Sequence, residues 1–562
     1  MARRIAGWLT SSSLLLLACG DSATTSTADS GVTTATSSVT TASTSGSSTA
    51  TSGETTAGSD TQASTSSESD TGSTTILYDV APDDDAGPVG SACQQAEAEN
   101  SNQGCEFWAV DLPNAWQVVL QPGAEDQLYA IVATNTSESP ANVSVYPGNE
   151  DTPLDSATIP GGGLQVFTFD NALGTKPQEN SYGTAYRVVS DRPITVYQFN
   201  PLDNSTKVYS NDASLLFPSH VLGSDYTAIT GDAVQIVGKN AGAFVTVVGL
   251  EDDTVIEFFP PVGIPLYPGV LKLTVDRGQT YTLMSNAVLS PLQNDPGQGN
   301  LSGTRVEASK PVAVFSGNVC SFEPSPWIDC CCDHLEHQLL PLEAWGHGYV
   351  VVAAPPNLGD EEDKVRVRVT GSFDGTQLSY APAAPPGAPT MINAYQTVVF
   401  EADAPFIVSS DRPFAVYQFI LSNEYITVDP TPNDDADNGW WPGDPAMILV
   451  PPIDQLRERY VFFVPDEYEV NYVTIVRRAG ATVRLDAADI SGDPGWKDVG
   501  VFDGAMWQRA HFPLGFGAHK VEAFDGETVG ITVVGLDAAV SFGYAGGSGV
   551  DFIEAPPLPP AG

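Results

Sequence analysis

A ten-residue segment recurs along this chain and constrains its architecture more than any other feature. Residues 190–199 read Ser-Asp-Arg-Pro-Ile-Thr-Val-Tyr-Gln-Phe, and residues 410–419 repeat them as Ser-Asp-Arg-Pro-Phe-Ala-Val-Tyr-Gln-Phe. A third copy begins at Ser309 and a weaker fourth at Gly526. Such internal similarity indicates a repeat protein in which each repeat is one structural unit. The spacing predicts tandem units of about 100–120 residues.

Between the copies, the sequence has the pattern of short β-strands. Runs of Val, Ile, Thr, Tyr and Phe, such as 243–249 followed by 254–259, are broken by Gly, Pro and Asp. Runs of this kind are typical of strands and hairpins, so we expect a hairpin at 244–259 and equivalent hairpins at 365–380 and 473–485. A second recurring element marks the start of each unit. A proline precedes a tyrosine by eight residues in three pairs: Pro218 and Tyr226, Pro341 and Tyr349, Pro452 and Tyr460.

These patterns predict an all-β body of about four tandem antiparallel β-sandwich-like repeats, because one sandwich has about 100 residues. A β-propeller-like closed array is the alternative, since four-stranded blades also give regular strands. Blades are only about 40–50 residues long, so the length of the units disfavours the propeller. We expect each Asp-Arg-Pro step to be an exposed turn entering a strand, because proline fixes φ and lacks an N–H. The apolar run that follows it predicts a central, buried strand.

Residues 1–19 have the pattern of a lipoprotein signal peptide. Arg3 and Arg4 precede an apolar run at 5–17, which is shorter than the about 20 residues that a membrane-spanning helix needs. Leu-Leu-Ala-Cys at 16–19 resembles the bacterial lipobox, in which the cysteine carries the lipid. An ordinary cleaved signal is the alternative. We therefore expect Cys19 to anchor the protein at the outer membrane or cell surface of a Gram-negative-type bacterium.

Residues 20–75 are rich in Ser and Thr and contain no Lys or Arg. Such a composition buries too little apolar surface to offset the entropy of the chain, which predicts a disordered linker. A flexible chain of this length spans roughly 40 Å, at 5–6 Å times the square root of its length. The predicted linker is a tether that holds the body away from the membrane.

The chain is strongly acidic, with 69 acidic and 23 basic residues and a net charge of −46. Affinity for nucleic acid needs clustered Lys and Arg, so we expect no nucleic-acid partner and membrane contact through the lipid alone. The charge fits a solvated surface, with calcium binding as the alternative. Asp435 and Asp437 have the spacing of an EF-hand loop, but Asn438 stands where that loop has glycine. No other cofactor is expected.

The sequence predicts seven segments. They are a signal peptide at 1–19, a linker at 20–75, a disulfide-containing segment at 76–120, and β repeats at 121–210, 211–335, 336–430 and 431–555. The second β repeat contains a cysteine-rich loop.

If Cys19 carries a lipid, six cysteines remain, and an even number in an exported protein predicts disulfides. The six are Cys93, Cys105, Cys320, Cys330, Cys331 and Cys332. Cys93 and Cys105 form the natural first pair, and Cys320 is expected to pair with one member of the run at 330–332. The dense cysteines and histidines at 329–337 leave a zinc or copper site as an alternative.

No catalytic motif is evident, because the sequence has no nucleophile elbow, no phosphate-binding loop and no zinc-protease motif. Trp327, Trp440 and Trp441 lie in Pro/Gly-rich loops. Aromatic side chains in such loops bind partner proteins or stack on sugars, and these three are the candidate binding residues. The alternative is that they fill the junctions between repeats.

Several ordered motifs resemble one known family. They are the segments 190–203, 212–218 and 311–317, the Cys-Asp-His-Leu at 332–335, and the Cys-Glu-Phe-Trp at 105–108. Together they resemble the N-terminal domain family of IgGFc-binding proteins, over about residues 90–545.

The resemblance implies an extracellular β-rich binding module, and it does not imply that antibody is the ligand. It also implies that Cys320 pairs with Cys332. We therefore expect a cell-surface binding or adhesion module without catalysis, whose partner is an extracellular protein or glycan. A structural stalk or matrix component of the cell envelope is the second hypothesis, and a surface hydrolase is the third.

Overall fold

The computed structural model describes most of the chain beyond residue 90. The described residues are 91–116, 123–170, 180–202, 210–236, 239–264, 271–286, 299–324, 332–354, 364–422, 443–466, 468–537 and 540–555. Within them the regular structure is almost all β-strand, and the one α-helix is α1 (Ser91–Ala98). This confirms the all-β prediction. No helix of the described part is long and apolar enough to span a membrane.

The strands form four units. Unit 1 contains β1 (Gly104–Ala109), β2 (Tyr129–Thr134), β3 (Ala141–Pro147), β4 (Asp155–Ile159), β5 (Leu164–Phe169), β6 (Ser181–Thr184), β7 (Tyr186–Asn200) and β8 (Asp212–Leu216). Unit 2 contains β9 (Asp225–Thr227), β10 (Val234–Ile236), β11 (Lys239–Ala241), β12 (Ala243–Gly249), β13 (Thr254–Phe259), β14 (Lys272–Val275), β15 (Gln279–Met284), β16 (Arg305–Ala308), β17 (Val312–Ser321) and β18 (Asp333–Gln338).

Units 3 and 4 follow. Unit 3 contains β19 (Gly346–Val351), β20 (Val365–Gly371), β21 (Thr376–Ala381), β22 (Met391–Ile392), β23 (Thr397–Ala402), β24 (Phe406–Ile420) and β25 (Ala446–Leu449). Unit 4 contains β26 (Arg459–Val464), β27 (Val470–Arg478), β28 (Val483–Leu485), β29 (Ala488–Asp489), β30 (Lys497–Phe502), β31 (Ala505–Pro513), β32 (Gly517–Ala523), β33 (Val529–Asp537) and β34 (Val540–Ala545).

All four units share one topology of two antiparallel sheets. In unit 1 the orders are β4-β3-β7-β1 and β5-β2-β7-β8, with β7 common to both sheets. Unit 3 has the equivalent orders β22-β21-β24-β19 and β23-β20-β24-β25. In units 2 and 4 the shared strand is split into two, as β16 with β17 and β32 with β33. The prediction of about four sandwich-like repeats is therefore confirmed.

The recurring Asp-Arg-Pro step lies where the shared strand passes from one sheet to the other. Asp191 Oδ1 accepts a hydrogen bond from the backbone N–H of Asn142 at 2.8 Å, and Asp411 Oδ1 accepts one from Gln377 at 2.8 Å. The prediction of a turn at this step is wrong in units 1 and 3, where the step lies inside one continuous strand of 15 residues. The run that follows is buried, as predicted.

The recurring tyrosine fastens the start of units 2, 3 and 4 to the later strand that begins near the proline step or its counterpart. Tyr226 OH donates to the carbonyl of Val312 at 2.8 Å and accepts from the N–H of Gly223 at 2.9 Å. Tyr349 and Tyr460 make the equivalent donation to the carbonyls of Phe414 and Val529. All three tyrosines are buried, so the hydroxyl is both satisfied and sheltered.

The predicted hairpin at 244–259 is wrong, and so are its equivalents in units 3 and 4. β12 pairs with β15 and β17, whereas β13 pairs with β14 and β16 in the opposite sheet. The short connection at 250–253 therefore crosses between sheets. A crossing between sheets and a hairpin both need a tight reversal of the chain, so they have the same spacing and the same turn residues. The sequence pattern therefore does not distinguish one from the other.

The last strands of the four units form a closed ring. β8 contacts β18 and β34, and β25 contacts the same two strands. The arrangement is closed, as in the propeller alternative, but each member of the ring is a two-sheet unit and not a four-stranded blade. The described ends of the chain also meet, because Asn102 N donates to Ser548 O at 3.0 Å and Val550 N donates to Asn100 O at 2.7 Å.

Buried carboxylates hold the centre of the ring. Asp212 Oδ2 accepts backbone hydrogen bonds from Glu336 at 3.0 Å and Met447 at 3.2 Å, which joins units 1, 2 and 3. Asp333 Oδ2 accepts one from Ser541 of unit 4 at 3.4 Å. Both aspartates are fully buried, and burial raises the pKa of each. These two side chains therefore connect all four units.

Candidate binding groove between units 2 and 3

An open groove of about 650 Å³ lies where unit 2 meets unit 3. Its first wall is the end of β13, the loop after it and the start of β16. Its second wall is the turn before β23 and the first half of β23. The side chains and backbone that define it belong to Phe259, Val262, Gly303, Arg305, Tyr395 and Val399.

Apolar side chains are exposed along this groove. Phe259 is 44% exposed, Val399 is 38% exposed and Val262 is entirely exposed. The Arg305 guanidinium lies 5.2 Å from the ring centre of Phe259 and 5.4 Å from that of Tyr395, within the range of a cation–π contact. It also pairs with Glu307. The arginine therefore connects the two walls and leaves an apolar surface suited to aromatic or branched aliphatic side chains.

The two walls approach closely at Gly303. Its φ is +88°, and a Cβ at this position would lie 2.6 Å from the carbonyl oxygen of Tyr395. Any other residue would force the walls apart and would also be strained by its backbone conformation.

Tyr395 has a backbone conformation that residues other than glycine seldom adopt. Its φ is +61°, in the turn where Gln396 closes a hydrogen bond to Asn393. The equivalent turn of unit 2 has Gly278 at φ +76°, followed by Gln279 in the same role. A tyrosine where glycine serves in the sister unit costs on the order of 1 kcal/mol. Strained residues of this kind concentrate at binding sites.

A buried ion-pair cluster also joins units 2 and 3. Glu323, two residues after β17 of unit 2, lies with its carboxylate oxygens 2.9 Å from Arg366 Nε and 2.6 Å from Arg368 Nη2 of β20. Glu323 and Arg368 are almost completely buried, and the Arg368 guanidinium lies 3.9 Å from the ring centre of Phe419. The carboxylate therefore pairs with two arginines at the junction that forms the groove, and Glu401 is a second partner of Arg366.

The described residues offer little for catalysis. They contain no group of three or more His, Cys, Asp or Glu arranged to hold a metal ion. The densest titratable cluster, at Asp333, His334, Glu336 and His337, is fully buried at the centre of the ring. Burial lowers the pKa of His337 to about 3 and raises that of Glu336 well above its usual value. These groups face the protein interior, away from solvent.

Two of the predicted disulfides are present. Cys93 pairs with Cys105, which connects α1 to β1, and Cys320 pairs with Cys332, which connects β17 to the residue before β18. The second pairing is the one that the family resemblance implied. Since Cys332 is in a disulfide, its sulfur is not a thiolate ligand for the zinc or copper site considered from the sequence.

The other predicted site residues lie outside the described part of the chain. They are Cys19, Trp327, Cys330, Cys331, Asp435, Asp437, Trp440 and Trp441. Their predicted roles in lipid attachment, disulfides, partner binding and calcium binding therefore stay predictions.

Comparison with known proteins places the chain in a family. A family model described as IgGFc binding protein matches residues 212–535, which include β8 and most of units 2 to 4. This chain belongs to the IgGFc-binding protein family. The groove and the ion-pair cluster lie inside the matched region.

One curated relative of this IgGFc-binding family member is the IgGFc-binding protein of Homo sapiens, with 26% identity over 475 residues. The aligned region covers 81% of this chain and 8% of the human protein, so the chain spans a small part of that relative. No solved structure matches the chain.

The sequence interpretation missed the groove, although one signal was available. Phe259 is followed by Pro260, Pro261 and Val262, a run that cannot continue a paired strand. An apolar residue after two prolines has few ways to be buried. Its partners Arg305 and Tyr395 are distant in the chain, so no local pattern connects them with it.

Proposed function

We propose that this protein is a bacterial lipoprotein anchored at the cell surface. It binds an extracellular protein through the closed ring of four units and catalyses no reaction. The open groove between units 2 and 3 is the observation that carries the binding role. It presents exposed apolar side chains on a rigid junction, and exposed apolar patches mark interaction sites. Membership of a family described by its binding supports the same conclusion.

The chemistry of the described residues favours binding over catalysis. Asp212, Asp333 and Glu336, whose pKa values burial raises, are sealed at the centre of the ring, where no substrate reaches them. The groove itself contains one guanidinium, apolar side chains and a few hydroxyl and amide groups. Such a surface offers packing and hydrogen bonds but no nucleophile with an adjacent base.

The anchoring role rests on Cys19. We expect Cys19→Ser to abolish lipid attachment, because serine offers no thiol to form the thioether that carries the lipid. Cells that produce this variant are expected to lose palmitate labelling of the protein and to release it from the membrane fraction. Ser22→Ala, which leaves Cys19 in place, is the matched control. Membrane retention of Cys19→Ser together with undiminished labelling would contradict the lipoprotein assignment.

The binding role is tested by offering the purified full-length protein to extracellular proteins and measuring whether capture saturates. The name of the human relative describes binding to IgG Fc, so purified Fc is one probe and a secreted-protein fraction is the other. We expect saturable capture of at least one protein. A structural stalk would retain only traces that rise linearly with concentration, and that outcome from both probes rejects the binding role.

A further inference from the structure

Strand β23, next to the groove, lacks the cover that its equivalents in units 2 and 4 have, and its equivalent in unit 1, β5, is also without a described partner on its outer edge. In unit 2 the outer edge of β15 is paired with β6, and in unit 4 the outer edge of β31 is paired with β30. In unit 3, β23 pairs with β20 on one side, and no described strand pairs with its other side. An uncovered edge presents backbone N–H and C=O groups that can pair with another chain.

Unit 2 shows how such an edge is occupied. β6 lies antiparallel to β15, with Ser181 opposite Thr282 and Thr184 opposite Gln279. The rings of Tyr182 and Tyr281 meet edge to face at 5.1 Å. Four residues in an extended conformation, with one aromatic side chain, therefore complete this edge.

The equivalent stretch in unit 3 is the one that faces the groove. Gln279 and Gln396 occupy the same place in their turns, so residues 279–282 correspond to residues 396–399. Thr397 and Val399 line the groove, and Tyr395 precedes them. The place that β6 fills in unit 2 is therefore open to solvent in the described part of unit 3.

We propose that β23 binds an extended segment of a partner protein as an added antiparallel strand. This inference rests on the proposed binding function and names its partner chemistry. The segment contributes about four residues to the edge, as β6 does, and its backbone pairs with β23. An aromatic or branched aliphatic side chain of the segment packs against Phe259, Val262 and Val399.

Charge opposes a second copy of this chain as the occupant. Each molecule has a net charge of −46, so two copies repel one another at close approach. The tyrosine at +61° supports a role in recognition, because glycine would fill the same turn without strain. In the proposed complex the Tyr395 ring contacts the added segment, and this contact offsets the cost of the strained backbone.

A displayed library of random twelve-residue peptides, panned on the full-length protein, tests this inference. We expect selected peptides to be rich in aromatic and branched aliphatic residues and to slow hydrogen exchange of the backbone amides at 397–402. Val399→Lys is expected to weaken their binding by about tenfold or more, because a lysine on an edge strand opposes pairing. Tyr395→Gly is expected to weaken it with little change in the melting temperature, because the relieved backbone strain offsets the lost contacts of the ring.

Val501→Lys is the matched control, because Val501 is an exposed valine on the outer strand of unit 4. It is expected to leave peptide binding unchanged. The inference is overturned if the library yields no enriched peptides, if Val399→Lys binds them as wild type does, or if protection falls on another strand. Saturable capture of an extracellular protein that is unaffected by Val399→Lys would reject this site and leave the proposed function standing.

Discussion

Replacing Glu323 with alanine is expected to lower the free energy of unfolding by about 3–5 kcal/mol, because it leaves buried positive charge without a partner. The carboxylate lies within 2.9 Å of Arg366 and 2.6 Å of Arg368. Arg368 is almost fully buried, so water cannot replace the lost charge. The effect should appear in chemical denaturation as a lower midpoint for the transition that includes units 2 and 3.

Glu401→Ala provides the matched control for Glu323→Ala. Glu401 pairs with the same Arg366 at 3.1 Å, but its side chain is 40% exposed. An exposed ion pair contributes about 0.2–1 kcal/mol, so we expect a small change. Similar losses for the two variants would show that the junction does not depend on the buried carboxylate.

Replacing Glu336 with glutamine is expected to stabilise the protein by roughly 1 kcal/mol or more at neutral pH, because glutamine fills the site without the cost of ionising a buried carboxyl whose pKa is raised. Gln198 Nε2 donates to Glu336 Oε1 at 3.1 Å, and His334 Nε2 lies 3.3 Å from Oε2. A glutamine can keep the first bond through its oxygen and donate to the histidine through its amide. The substitution therefore removes a charge without leaving either neighbour unpaired.

The same variant should change the pH dependence of stability. Burial and the charge of Asp212 raise the pKa of Glu336 in the folded protein, and Asp111 adds to the rise. A raised pKa gives stability that is complete below the unfolded value of about 4.3 and declines as pH rises through the folded value. The melting temperature of wild type should therefore fall from pH 5 to pH 8 more steeply than that of Glu336→Gln.

Asp212 and Asp333 also have raised pKa values, so part of the decline should remain in the variant. Glu251→Gln is the control, because Glu251 is 59% exposed and should leave the pH profile as in wild type. Identical profiles for wild type and Glu336→Gln would show that Glu336 is not a source of the pH dependence.

The repeat pattern predicted the fold class because its residues have local structural roles. Asp191 and Asp411 recur since each accepts a backbone N–H at the crossing between sheets, and Tyr226 recurs since its hydroxyl fastens the unit. The closure of the ring could not be predicted in the same way. Strand β18 reads Asp-His-Leu-Glu-His-Gln, a polar sequence that indicates an exposed strand, yet all six residues are buried.

The groove could not be predicted from the sequence for a different reason. Its walls come from residues 90 to 140 positions apart in the chain, and the order of the units in the ring brings them together. The positive φ of Tyr395 and the uncovered edge of β23 are properties of the backbone, and the residue types at these positions do not predict them. The Cys93–Cys105 disulfide was predictable because the two cysteines are close in the chain. For Cys320 the spacing left three candidate partners, and only the family resemblance implied Cys332.

The most direct measurement of the central claim is the affinity of the full-length protein for a captured extracellular protein, compared between Tyr395→Gly and Phe552→Ser. Phe552 is 68% exposed and lies outside the groove, so it controls for the loss of any exposed aromatic ring. We expect Tyr395→Gly to weaken binding by about tenfold or more, as for a central aromatic contact. Phe552→Ser is expected to bind as wild type does. Equal affinities for wild type and Tyr395→Gly would contradict the central claim.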